Sequence, residues 1–108
     1  MTRRSQFHSV GRFTGKGAMV LSDTSENVPV RYEIVQWRES TFDGHSLGHT
    51  FKGRVWSDTD SLLAFRYIGK QFVLEMKPGQ RISLFITDQS GAVEHCPGPV
   101  EGFPIVKN

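Results

Sequence analysis

Two tryptophans and three basic residues alternate along a predicted hairpin, and these five side chains are the set best suited to bind a ligand. The segment from Val28 to Trp56 holds two alternating stretches around Asp43-Gly44, a dipeptide typical of a tight hairpin turn. Aromatic rings beside cations stack on single-stranded nucleic acid at about 1–3 kcal/mol per base. The candidate ligand-binding residues are Arg31, Trp37, Lys52, Arg54 and Trp56.

The same hairpin register also predicts packing that involves no ligand. It sets Arg31 opposite Trp56, which favours a surface cation–π pair of about 0.5–1 kcal/mol, and it sets Glu33 opposite Arg54. Trp37 is alternatively covered by another strand or by a second copy of the chain. The opposite face of the hairpin is the predicted core, with Tyr32, Ile34 and Gln36 opposite Val55, Gly53 and Phe51.

Histidines and the single cysteine offer no recognised catalytic or metal-binding pattern. His45 and His49 lie about 13 Å apart if the segment is a strand, too far to share a metal ion. His95 and Cys96 are adjacent, and we expect His95 to face the core opposite Leu84. No local motif marks a nucleophile. The sequence therefore predicts no enzyme activity, no metal and no cofactor.

The glycine-rich stretch around Lys16 has the composition of a phosphate-binding loop but not its spacing. Val10 stands where the first glycine of that loop belongs, and Gly17 follows the lysine where serine or threonine is required. We expect Gly15-Lys16 to be a two-residue hairpin turn instead.

Alternation with a period of two runs through the carboxy-terminal half and predicts three consecutive hairpins. Their turns are Gly69-Lys70, residues 76–80 around Pro78-Gly79, and residues 88–91. The expected pairs are Tyr67 with Phe72, Phe65 with Leu74, Leu63 with Met76, Leu74 with Ile82, Glu75 with Arg81, and Ile86 with Val93.

These segments together predict an all-β fold, a small antiparallel barrel or barrel-like sandwich of about seven to eight strands built from consecutive hairpins. Residues 1–96 form the single predicted domain, and residues 97–108 a Pro/Gly-rich extended tail without regular structure, packed through Val100 and Phe103 or free to reach a partner. Residues 57–63 alternatively form one helical turn. The predicted strands lie at roughly 8–14, 17–22, 29–38, 45–57, 61–68, 71–76, 80–87 and 92–96.

Composition sets wide limits on function. The chain of 108 residues has one cysteine and no apolar run of the length that a membrane helix needs, and we expect a cytoplasmic protein without a signal peptide. The first twenty residues hold four bases and no acid, a pattern that favours polyanions. Two functions follow: a non-catalytic binding or interaction module, acting on a protein partner or by self-association, and a single-stranded nucleic-acid or nucleotide binder.

Overall fold

A computed structural model describes residues 5–103, which form a closed antiparallel barrel with the strand order β1-β2-β3-β6-β5-β4. The predicted small antiparallel barrel is therefore confirmed, with six strands instead of seven to eight. The elements are β1 (Ser5–Leu21), β2 (Asn27–Thr41), β3 (Ser46–Trp56), α1 (Leu63–Tyr67), β4 (Gln71–Lys77), β5 (Gln80–Ile86) and β6 (Ala92–Glu101).

The first two predicted strands are one continuous strand, so the predicted turn at Gly15-Lys16 is wrong. Gly15 pairs with Tyr32 of β2 and Lys16 pairs with Arg31, without interruption. A Cβ atom on Gly17 would overlap the carbonyl oxygen of Glu75 in β4. The glycines thus allow close approach of neighbouring chains rather than a change of direction.

The predicted strand at 61–68 is wrong, because residues Leu63–Tyr67 form the short helix α1. The alternative prediction of a helical turn at 57–63 has the right kind of element but lies too early, since only Leu63 of that segment is helical. The Ser57 hydroxyl accepts hydrogen bonds from the backbone N–H groups of Thr59 and Asp60, and the Asp60 carboxylate accepts one from Leu62. These side-chain bonds favour a turn over an extended chain. Leu63 is buried, whereas Phe65 is 63% exposed and is not the core residue that alternation predicted.

The predicted Gly69-Lys70 hairpin is consequently absent. Tyr67 ends α1, and Phe72 pairs with Leu84 of β5 on one side and Leu21 of β1 on the other. The Gly69 N–H group donates to the Ile86 carbonyl instead of closing a hairpin. The predicted pairs of residues 63, 65 and 67 with β4 are therefore wrong.

The other three registers are confirmed. β4 and β5 pair as expected, although the turn at Pro78-Gly79 is tighter than predicted because a bulge precedes Lys77. In the β2–β3 hairpin the Thr41 N–H group donates to the His45 carbonyl, and a register shift after Glu39 compensates for the longer loop. The confirmed pairs are Ile34 with Gly53, Tyr32 with Val55, Gln36 with Phe51, Glu33 with Arg54, Leu74 with Ile82, Glu75 with Arg81, and Ile86 with Val93.

The last strand continues through the prolines to Glu101. The prediction that residues from Pro97 onward have no regular structure is therefore wrong for residues 97–101. A register shift opposite Ser83 accommodates the Pro/Gly stretch, after which Val100 pairs with Ile82. The Phe103 ring then packs against Phe13 and Phe51 at centroid distances of 5.0 and 4.9 Å. The remainder of the predicted tail, and Arg3 and Arg4, lie outside the described residues.

The barrel closes over only part of the length of its first three strands. β1 joins β4 through Ala18–Leu21, and β3 joins β6 through Lys52–Arg54. Beyond these segments β1, β2 and β3 continue as a three-stranded extension, here called the ribbon, made of residues 5–17, 30–41 and 46–51. The core contains sixteen clustered side chains, among them Met19, Val55, Phe72, Leu84 and Val93, and it extends into the ribbon through Val30, Tyr32, Ile34 and Phe51.

Candidate binding face

All five predicted ligand-binding residues lie on the outward face of β2 and β3, but the structure does not bring the two tryptophans together. Burial alternates along β2 with Tyr32 and Ile34 inside, which puts Arg31 and Trp37 outside. Trp37 pairs with Thr50, six positions along β3 from Trp56. Six residues of strand span about 20 Å. A single nucleobase therefore cannot touch both rings.

Two basic side chains of this face, Arg31 and Arg54, already contact neighbouring side chains. Arg31 forms an ion pair with Asp58 in the loop after β3. The guanidinium of Arg54 lies 4.7 Å from the ring centroid of Trp56. The predicted cation–π pair of Arg31 with Trp56 is therefore wrong, because Arg54 occupies that ring and the loop supplies an acid for Arg31.

Trp37 and Lys52 help to form a groove of about 420 Å³ on the outer face, where the ribbon adjoins the β3–β6 seam. Phe7 of β1 contributes the third large side chain and is 54% exposed, whereas Val35 and Trp37 are half-buried. Sequence reasoning missed Phe7 because the first strand was predicted to begin at residue 8. The groove is lined by Phe7, Val35, Trp37, Thr50, Lys52 and Gly53.

The inner face of the ribbon includes buried polar side chains beyond its apolar part. Gln36 is only 2% exposed, and its amide nitrogen lies 3.2 Å from Nδ1 of His49. Ser40 is also buried on this side. The buried side chains of Gln36 and Ser40 thus follow the apolar ones of Tyr32 and Ile34 along β2, and Phe7 and Trp37 lie on the opposite, outer face. Exposed apolar patches of this kind mark contact surfaces.

Acidic side chains reduce the positive potential of the face. Lys52 is exposed and pairs across the strands with Glu94 of β6. The Glu33 carboxylate lies 3.6 Å from the Arg12 guanidinium. Together with the Asp58–Arg31 ion pair, these contacts make the face a mixture of charges rather than a continuous basic track. Such a mixture is a poor match for the uniform charge of a phosphate backbone.

The histidines and Cys96 remain dispersed. His95 pairs with Leu84, as predicted, and its ring centroid is 5.7 Å from that of Phe51. Burial lowers the pKa of His95, and its Nε2 atom is buried with no hydrogen-bond partner among residues 5–103. Cys96 Sγ lies 3.2 Å from the Ser83 hydroxyl. Within the described chain no three His, Cys, Asp or Glu side chains group as metal ligands would.

Known proteins provide no further guide to this face. Among residues 5–103 no helix has the length and apolar character needed to cross a bilayer. Comparisons with protein-family models, with curated proteins and with solved structures each give no match for the chain.

Proposed function

We propose that this barrel is a non-catalytic binding module and that the groove of Phe7, Val35 and Trp37 holds an apolar group of a protein partner. The observation that supports this function is the open apolar groove on the outer face, where Phe7 is 54% exposed, together with the buried polar side chains of Gln36 and Ser40 on the inner face. Completing the burial of a side chain such as Phe7 contributes up to about 1.5–3 kcal/mol. The partner is a different protein or a second copy of this chain.

The edge of the groove adds a preference for an acidic group beside the apolar one. Lys52 lines the groove and is exposed, so its ammonium group is available to an anion. Glu94 lies across from it and weakens this attraction. The preferred ligand is thus an aromatic or aliphatic side chain with a nearby carboxylate.

Single-stranded nucleic acid is a second candidate, favoured by the Arg54–Trp56 stack and by the basic first twenty residues. It is the weaker candidate because the tryptophans lie about 20 Å apart along the strands. In addition, Glu33 and Asp58 form ion pairs with the basic residues Arg12 and Arg31 of this face.

Anilinonaphthalene sulfonate tests the groove, because it joins an aromatic body to an anion. We expect saturable fluorescence enhancement with one dye per chain. Trp37→Ala and Phe7→Ser should each weaken the binding about tenfold through loss of apolar contact. Trp56→Ala is the matched control, since Trp56 does not line the groove, and it should bind as the unmodified protein does.

Two results would contradict the proposal. One is dye binding that Trp37→Ala and Phe7→Ser both leave unchanged while the thermal unfolding of each variant stays cooperative. The other is binding of an oligothymidylate that is lost at high salt and abolished by Trp56→Ala. This second result would establish the nucleic-acid function instead, because phosphate contacts depend steeply on salt.

A further inference from the structure

The ribbon leaves one side of β1 open. Residues Ser5–Gly17 pair with β2, whereas the pairing of β1 with β4 begins at Ala18. Among residues 5–103 no other strand pairs with this part of β1. An unpaired strand edge presents a row of backbone donors and acceptors that another strand can pair with.

The direction of these groups follows from two hydrogen bonds at the end of β1. The Leu21 N–H group donates to the Glu26 carbonyl on the β2 side, and the Ser22 N–H group donates to the Gln71 carbonyl on the β4 side. Backbone groups of alternate residues point to opposite sides of an antiparallel strand. No register shift occurs between Gly11 and Leu21. Thr14 and its even-numbered neighbours, Arg12 and Lys16, therefore direct their N–H and C=O groups to the open side.

We infer that this edge binds an extended acidic peptide, which adds to β1 as a further strand. Main-chain hydrogen bonds supply the affinity in this mode of recognition, and alternate side chains supply the specificity. The side chains of Arg12 and Lys16 stand on the outer face of the edge and are four residues apart. An added strand thus places acidic residues beside both bases when its acids are also four apart. This edge of β1 is a different surface from the groove of Phe7, Val35 and Trp37.

Charge is the reason for choosing an acidic peptide over a second copy of the chain. The first twenty residues contain four bases and no acid, so two copies paired along this edge would bring like charges together. The Arg12 side chain is 65% exposed, and its contact with Glu33 is a solvent-exposed ion pair of small energy. Arg12 therefore remains available to a carboxylate of the partner.

Two acids that share a surface groove with Lys16 already have basic partners. Asp58 and Asp60 line the same surface groove as Lys16. Asp58 pairs with Arg31, and Asp60 pairs with Arg66 at 2.7 Å. Each of these two acids thus has an ion-pair partner other than Lys16.

The space beside the edge is continuous with the position of β4. A groove of about 440 Å³ marks the place where β1 and β4 part, and Gly17, Ala18 and Glu75 line it. The chain leaves β4 here through the turn at Pro78-Gly79. An added peptide would continue the line of β4 along the ribbon.

The probe is a fluorescein-labelled decapeptide of alternating threonine and glutamate, titrated by fluorescence anisotropy against the full chain. Two control peptides replace all the glutamates by lysine or by N-methylglutamate. The N-methyl peptide keeps the charge but lacks the N–H donors of the residues that lie opposite Arg12 and Lys16. We expect the threonine–glutamate peptide to bind at least about tenfold more tightly than either control.

Protein variants test the edge itself. Thr14→Pro removes an N–H group that points to the open side. Proline is tolerated there because the N–H group of residue 14 donates no hydrogen bond to β2. We expect it to weaken peptide binding about tenfold, whereas Thr14→Val, which keeps the N–H group, should bind as the unmodified chain does. Arg12→Glu with Lys16→Glu should reverse the preference toward the lysine peptide.

Hydrogen exchange gives a readout that does not depend on affinity. Without peptide, the amides of Arg12 and Thr14 should exchange much faster than those of Phe13 and Gly15, and the peptide should protect the first pair. Equal binding of the N-methyl peptide would overturn the inference, because charge alone would then explain it. So would absence of binding, or a dimer that Thr14→Pro dissociates, since the edge would then belong to a second copy. Trp37→Ala leaves the edge intact, so it should not change peptide binding whether or not the groove functions as proposed.

Discussion

The ring of His95 combines an aromatic contact with a buried, unpartnered nitrogen. Its centroid lies 5.7 Å from the Phe51 ring, and Nε2 has no hydrogen-bond partner within the described chain. Burial lowers its pKa below the ordinary value of 6.5, because the charged imidazolium is poorly solvated there. Protonation of this ring therefore opposes folding.

This burial predicts a pH-dependent stability that a substitution removes. Just below pH 6.5 the unfolded chain binds a proton at His95 that the folded chain does not, so stability is lost as the pH falls from 6.5 through the lowered pKa. His95→Phe keeps the ring contact and cannot titrate. Urea unfolding above and below pH 6.5 should show a smaller loss for His95→Phe, and an identical loss in both proteins would contradict the assignment.

Single side chains show which parts of the binding face are predictable from the sequence. Alternation placed Trp37 and Arg54 on the outward face correctly, since successive residues of a strand must point to opposite sides. The partner of Arg31 was not predictable in this way. Asp58 belongs to a loop whose path depends on α1, and no strand register describes it.

Among the elements, α1 shows how a period of two can mislead. Leu63, Phe65 and Tyr67 alternate with smaller or polar residues, which is the pattern of a strand. The side chains of Ser57 and Asp60 bond the backbone just before this segment and fix a turn. Five residues are too short for a helical period to be visible in the sequence, so the side-chain hydrogen bonds of the preceding turn decided the structure.

Two substitutions separate the helix from the predicted strand. In a strand, residues 63 and 65 would both face the core, whereas in α1 Leu63 is buried and Phe65 is exposed. Leu63→Ala should lower the free energy of unfolding by about 2–4 kcal/mol. Phe65→Ala should change it by no more than about 0.5 kcal/mol. Chemical denaturation measures both, and similar losses for the two variants would favour the strand.

Across the whole molecule, two three-stranded meanders meet along two short seams. β1, β2 and β3 form one meander and β4, β5 and β6 the other, with α1 between them. The hairpin registers within the meanders were largely predictable, because each depends on a nearby turn. The seams were not, since nothing local specifies that β1 meets β4 or that β3 meets β6.

Phe103 reinforces the contact between the halves from the end of the second meander. Its ring packs between Phe13 of β1 and Phe51 of β3. Because Phe103 is only half-buried, Phe103→Ala should lower stability by about 1–2 kcal/mol, less than in a full core position. Val100→Ala, at an exposed position nearby, is the control and should change stability by about 0.5 kcal/mol or less. Equal effects in thermal or urea unfolding would show that the aromatic contact does not join the halves.

The two seams also fix the order in which the chain assembles. Each hairpin closes a short loop, whereas each seam joins strands far apart in the sequence and carries a larger entropy of closure. We expect the hairpins to form first and barrel closure to limit the folding rate. Substitutions within Lys52–Arg54 of the β3–β6 seam should therefore mainly accelerate unfolding and leave the refolding rate nearly unchanged. The lifetime of the closed barrel thus depends on two short seams, formed by Ala18–Leu21 of β1 and by Lys52–Arg54 of β3.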